Sequence, residues 1–189
     1  MTHRTTAELE AALPSLSAAP RDAGQVAMIV RRPAIGEREV LAVAELDPAV
    51  GLVGDTWTDR PSRDMPDGSA HPDKQITIMN VRSVALLAGD SDRWPLAGDQ
   101  FYVDLDVGVE NLPAGSRLAM GDAVVEITAA PHNGCAKFTQ RFGLDAMHFV
   151  NSPEGKALRL RGANARVVTA GEVRPGDHVV VQRQAQPPA

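Results

Sequence analysis

The chain has 189 residues, a formal net charge of −5, 4% aromatic residues and a single cysteine. That length suits one domain with a sizeable core, while the acidic balance and the lack of any basic run disfavour non-specific nucleic-acid binding. So few aromatics make no base-stacking surface, no apolar stretch approaches the ~18 residues of a membrane span, and one cysteine excludes an internal disulfide and Cys-x-x-Cys metal sites.

Thr5-Thr6-Ala7-Glu8 has the spacing of a helix capping box, and Leu9, Leu13 and Leu16 form a short helical stripe interrupted near Pro14. Residues 1–24 therefore read as a peripheral leader or short helix, with Ser17 to Gly24 as linker. Glu8 and Glu10 stand where a signal peptide needs its apolar region, and with one cysteine this fits a reducing, cytoplasmic setting. From Gln25 the pattern turns to short β-rich runs, Val26 to Val30 and Glu39 to Leu46. Gly51-Leu52-Val53-Gly54-Asp55 is a glycine-bounded turn, with Asp55 as a turn cap or as the group that orients a ligand or a basic neighbour, and Trp57 to Asp73 is a long polar loop. Gln75 to Met79 is a compact strand, and Asn80 caps a helix over Val81 to Ala88. Phe101 to Val109 alternates apolar and polar residues as a strand does. Two strand-turn-strand units follow around Gly121-Asp122 and Gly176-Asp177. Between them lie three short helices, Ala136 to Arg141, Leu144 to Phe149 and Pro153 to Leu158, and the last residues, 184–189, form a frayed tail. Many short strands with regular turns predict a mainly β, closed or nearly closed barrel over 25–183 with short peripheral α-helices.

Cys135 sits in Pro131-His132-Asn133-Gly134-Cys135-Ala136-Lys137-Phe138, a turn-forming stretch that leads into a helix. A thiol in the first helical turn meets unpaired N–H groups and is drawn toward its reactive thiolate. The same spacing also puts Cys135, Phe138 and Phe142 on one helix face, so a buried thiol is the competing reading.

Six motifs surround that cysteine in a recognisable order. They are Gly51-Leu52-Val53-Gly54-Asp55, Lys74-Gln75-Ile76-Thr77-Ile78-Met79, Val107-Gly108-Val109-Glu110-Asn111-Leu112, Gly121-Asp122, Cys135 itself, and Arg161-Gly162-Ala163-Asn164-Ala165-Arg166-Val167. Together they resemble the MOSC domain, named for the C-terminal part of molybdenum-cofactor sulfurases. Lys74 stands where many members have arginine, and Val107 to Leu112 replaces the more usual Phe-Gly-Glu-Asn-Leu. The resemblance implies a β-barrel and a role in handling the molybdenum cofactor or its sulfur. It implies Cys135 as the molybdenum ligand or sulfur carrier and, in a reductase of N-hydroxylated compounds, an external electron-donor protein. A carrier that delivers cofactor or sulfur to a partner enzyme is the alternative. Bound pyridoxal phosphate is not expected, because the chain has neither a desulfurase domain nor a Schiff-base lysine motif.

A pterin cofactor brings a phosphate and hydrogen-bonding ring edges. Lys74 and Arg161 are the expected phosphate partners, against the alternative of solvated surface charges, and Gln75 and Asn111 are the expected readers of ring edges. Arg82 and Lys137 read as surface charges. His132 is either a proton donor beside the sulfur or an exposed loop histidine.

Overall fold

A computed structural model describes residues 3–183. The tail expected over 184–189 lies outside the described residues. Two helices open the chain, α1 (Thr6–Ala11) and α2 (Leu13–Ser17). Thr5 and Glu8 close the capping box reciprocally, and Pro14 occupies the first turn of α2, where its missing N–H is harmless. Leu9 and Leu16 are buried with Val84, Leu87, Phe138 and Phe142, so this segment packs into the body of the fold.

The strands are β1 (Ala23–Arg31), β2 (Glu39–Val40), β3 (Ala44–Asp47), β4 (Gly51–Leu52), β5 (Ile76–Asn80), β6 (Phe101–Val103), β7 (Arg117–Met120), β8 (Ala123–Ile127), β9 (Ala163–Thr169), β10 (Gly171–Val173) and β11 (His178–Gln182). Seven of them close a barrel in the order β11-β7-β8-β9-β5-β6-β1, with β1 pairing back to β11. All pairs are antiparallel except β5 and β6. A parallel pair needs a crossover, and α3 (Val81–Ala88) with a 3-10 segment, Ser91–Ala97, supplies it. Asn80 accepts the N–H of Arg82 and so starts α3 as predicted. Strands β10, β3 and β4 form a small separate sheet.

Alternation in the strands builds two cores. Ile78, Phe101 and Val103 point into the barrel with Ile76, Val125 and Val179. Their neighbours Met79 and Tyr102 point outward, beneath the helices. Those helices include α4 (Ala136–Phe142), α5 (Leu144–Asn151) and α6 (Pro153–Ala157). Tyr102 is fully buried and donates its hydroxyl to the carbonyl of Trp94, which satisfies its polar end.

Two strand expectations change. The run from Glu39 to Leu46 breaks into β2 and β3. The strand expected through Val109 ends at Val103, because the Asp106 carboxylate turns back onto the N–H of Gly108. The N–H of Asp106 pairs instead with the carbonyl of Pro20. Among the described residues, no helix is long and apolar enough to cross a membrane.

Candidate functional site

The segment 128–135 crosses one end of the barrel and carries both His132 and Cys135. Two asparagines hold it. Asn164 on β9 donates to the carbonyls of Ala130 and Pro131, both at 3.1 Å. Asn151, at the end of α5, grips Gly134 through both its N–H (2.9 Å) and its carbonyl (3.2 Å). Cys135 is therefore delivered as the N-cap residue of α4 in an extended conformation. Its side chain makes no capping hydrogen bond and the residue is exposed, so the thiol is open to a ligand. Phe138 and Phe142 are the buried residues of that helix face, and the buried-thiol reading does not hold.

Cys135 lines a cavity of about 410 Å³ whose walls bring together six cationic side chains, Arg32, Arg38, Arg60, Lys137, Arg141 and Arg161. Among the described residues, no acidic residue lines it. The charge of −5 over the whole chain makes this concentration a product of folding, not of composition. Two of the six are neutralised from behind. Arg32 and Asp55 form a buried two-pronged pair at 2.8 Å on each prong, and Asp55 also accepts the N–H of Arg32. Arg161 meets Asp99 at 2.6 Å and stacks 5.2 Å over the Phe138 ring.

The other four form no ion pair among the described residues. Arg38 and Arg141 donate to the carbonyls of Pro95 and Leu96, and Arg60 to the hydroxyl of Thr56. Burial, then the charges of Arg141 and Arg32, holds the Arg38 guanidinium below its usual range. Arg60 is lowered likewise, by burial and then by Arg32 and Arg38. A group of cations that repel one another is prepared for a polyanion.

His132 is not the exposed loop histidine: its side chain is 15% exposed and lies against Asp99. Nδ1 of His132 and Oδ1 of Asp99 are 3.5 Å apart, and each is buried without another partner. Gly162 permits this approach. Its φ is +107°, and a Cβ there would fall 2.6 Å from the carbonyl oxygen of Ile78 and 3.2 Å from both Asp99 Oδ1 and His132 Nδ1. Burial, then the Arg161 and Arg32 charges, holds the imidazole well below its ordinary range, so the ring is neutral at pH 7. With its proton on Nδ1 facing Asp99, Nε2 is left as an acceptor. Burial raises the Asp99 carboxyl, and Arg161 partly offsets that rise.

A pH prediction follows from the sign of the His132 shift. The unfolded chain, with an ordinary imidazole near 6.5, binds more protons than the folded one below that pH. His132 should therefore contribute a loss of stability as pH falls through 6.5, by up to about 1.4 kcal/mol per pH unit. Asp99, shifted upward, contributes with the opposite sign above its ordinary value, so the informative quantity is a difference. Melting temperatures between pH 7.5 and 5.5 should fall less steeply in His132→Gln than in the parent; equal slopes would contradict the buried neutral ring.

The groove continues past Arg32, Arg60 and His132 into a second lobe of about 510 Å³ that includes Trp57, Arg63, His71 and Lys74. Lys74 thus reaches the site, with its ammonium 2.6 Å from Asp64. Arg161 also reaches it, but two of its nitrogens are taken by Asp99 and the carbonyl of Ala97. Gln75 and Asn111 do not line the groove. Gln75 donates to the Pro48 carbonyl and accepts the N–H of Val167, serving backbone between strands. Asn111 is fully buried, donates to the carbonyls of Arg21 and Asp106, and accepts from Arg183. Both amides are used by backbone or neighbouring side chains.

The family model of the MOSC domain matches residues 66–180, more than half of the chain, and this match takes in the groove-lining segments around Lys74, Cys135 and Arg161. The chain belongs to the MOSC domain family. No curated protein matches the sequence. Among solved structures, the YuaD protein from Bacillus subtilis superposes with a TM-score of 0.59 at 17% identity, covering 86% of this chain and 97% of that one. YiiM from Escherichia coli gives a TM-score of 0.54 at 17% identity over 86% of this chain and 72% of that one. YiiM from Geobacillus stearothermophilus gives 0.51 at 15% identity over 85% and 73%. These likenesses are of fold, and they agree with a MOSC-type barrel.

Several groove residues had no sequence signal. Arg32, Arg38, Arg60, Asp99 and Arg141 belong to no motif and come from separate segments. Lys137 read as a surface charge, and of the two readings of Asp55, turn cap or partner of a basic neighbour, the structure shows the pairing with Arg32. Only the Asn164 position, inside the Arg161 to Val167 motif, marks in sequence the clamp that holds the cysteine loop.

Proposed function

We propose that this MOSC protein binds the molybdenum cofactor in the groove, with Cys135 as its thiolate ligand to molybdenum. The observation that carries this reading is an exposed, unbonded thiol in a cavity with four cations that lack carboxylate partners. A soft thiolate suits molybdenum, and phosphate oxygens suit guanidinium groups. The cofactor's phosphate would be held by Arg38, Arg60 and Arg141, with Lys74 as a further charge in the second lobe. When bound, the cofactor supplies two-electron chemistry at the metal. His132, with Nδ1 facing Asp99, presents Nε2 as a hydrogen-bond acceptor. The reading extends to reduction of N-hydroxylated compounds, in which the N–O bond breaks and the oxygen leaves as water. Two electrons from an external donor protein and two protons complete that balance. The exposure of Cys135 also supports a second reading, a carrier that presents sulfur to a partner enzyme.

The test is elemental analysis of protein made in a host with an intact cofactor pathway. Molybdenum near one atom per chain is expected, and protein that is free of molybdenum but carries a labile sulfur would favour the carrier. Arg38→Gln and Arg141→Gln should each weaken cofactor retention about tenfold, since a charged hydrogen bond is worth roughly 1.5–3 kcal/mol. Lys74→Gln should do less, because Asp64 already pairs with that ammonium. Unchanged retention in both arginine variants would remove the cationic cavity from the site.

A further inference from the structure

His132 and Arg161 have a second side. There they form the wall of another cavity, of about 430 Å³, which does not include Cys135. That volume falls in the range of small-molecule sites. Its lining is largely apolar, from Val109, Pro113, Ala129, Ala130, Val150 and Ala163, and Val109 is 47% exposed at its edge. Among the described residues no acidic one lines it, yet three cations do, Lys156, Arg159 and Arg161.

Arg159 is the informative one. It follows α6 at the position where the chain turns left-handed, with φ +46°, the only non-glycine residue with positive φ among the described residues. The N–H of Leu160 bonds to the carbonyl of Gly155, and the N–H of Arg159 to that of Lys156, the two bonds of a helix-ending turn that ordinarily selects glycine. An arginine stands there against that preference. Its Nη1 donates to the carbonyls of Val107 and Leu112 at 3.3 and 2.7 Å. Among the described residues its Nε and Nη2 have no partner and no carboxylate pairs with it. Burial holds its guanidinium below the usual range. The Nε–Nη2 edge is the fork that receives a carboxylate side-on. Arg161, only 8% exposed, adds a buried Nε with no hydrogen-bond partner.

We infer that this cavity is a second ligand site, for a small carboxylate-bearing molecule with an apolar body, held by Arg159 and Lys156. The apolar lining takes the body and the unused guanidinium edge takes the carboxylate. A phosphate dianion is a poorer fit, because Arg161 is already paired with Asp99 and, among the described residues, only Lys156 and Arg159 in the lining lack a carboxylate partner. The site does not depend on Cys135 or on molybdenum, so it stands or falls separately from the cofactor reading.

Benzoate is a suitable probe, with benzamide as its neutral counterpart and phenyl phosphate as the dianion. Titration of the 189-residue chain, followed by calorimetry or ligand-observed NMR, should show benzoate binding with a dissociation constant below about 1 mM and benzamide at least tenfold weaker. Arg159→Gly suits the left-handed backbone and removes the guanidinium; Ala129→Glu leaves Arg159 in place and adds a negative charge to the lining. Both should weaken benzoate at least tenfold while Cys135→Ser and Arg38→Gln leave it unchanged. Equal affinity for benzamide, tighter binding of phenyl phosphate, undiminished binding in Arg159→Gly and Ala129→Glu, or loss in Arg38→Gln would each overturn the assignment.

Discussion

Replacing Cys135 by serine should abolish molybdenum binding, or sulfur acceptance if the protein is a carrier, while leaving the melting temperature close to that of the parent. A hydroxyl is nearly the shape of a thiol but is a harder and far less acidic group. At neutral pH a free thiol is already a few per cent thiolate, and serine has no comparable anion. Stability should be spared because the side chain is exposed and makes no capping hydrogen bond. The Cys135 carbonyl accepts the N–H of Thr139 at 3.0 Å, the first backbone bond of α4, and that bond does not depend on the side chain. Metal content, turnover and thermal unfolding on the same preparation provide the measurement. A serine variant that keeps its metal and turnover would show that Cys135 is not the ligand.

The largest stability effect is expected at Asp55. Its carboxylate side chain is fully buried against Arg32, whose own side chain is 7% exposed. Removing one partner of a buried pair strands the other charge, at a cost of about 3–5 kcal/mol. Asp55→Ala should therefore lower the melting temperature by roughly 6–20 °C, at about 2–4 °C per kcal/mol for a chain of this size. It should also add a free cation to the groove, since Arg32 lines both lobes. The double variant Arg32→Met, Asp55→Leu distinguishes a stranded charge from lost packing. If the penalty is the unpaired guanidinium, the double variant should be more stable than Asp55→Ala. An equal or larger loss would mean that the pair contributes through its shape and its bond to the Arg32 N–H.

The elements that could be read from the chain are those specified by neighbours in sequence. Thr5 and Glu8 are three residues apart and close their box within one turn. Asn80 starts α3 through its own side chain. Ile78 and Met79 face opposite sides of the barrel wall because successive strand residues must. The misread stretches involve partners distant in sequence or a side chain that competes with the strand ladder. Residues 1–24 do include short helices, but the burial of Leu9 with Phe138, Phe142 and Leu87 is a long-range contact that sequence does not show. Asp106 ends a strand by capturing a backbone N–H, which a pattern of alternating hydrophobicity does not reveal. Gln75 and Asn111 carry the donors and acceptors a ring edge needs, but irregular strand ends leave buried backbone groups that must be paired, and these amides pair them.

The sequence by itself determined the barrel, the position of the lone thiol at a loop-to-helix junction and the family, because hydrophobic period, turn chemistry and motif order are all written locally. Tertiary structure alone decided the site. Arg32, Arg38, Arg60 and Arg141 are spread over more than a hundred residues and form one electrostatic neighbourhood only where β1, the polar loop and α4 meet. The states of His132 and Asp99 are likewise set by burial and by Arg161 arriving from β9's approach. Charge interactions depend on distance through space and on the water excluded between groups, and neither exists until the barrel has closed.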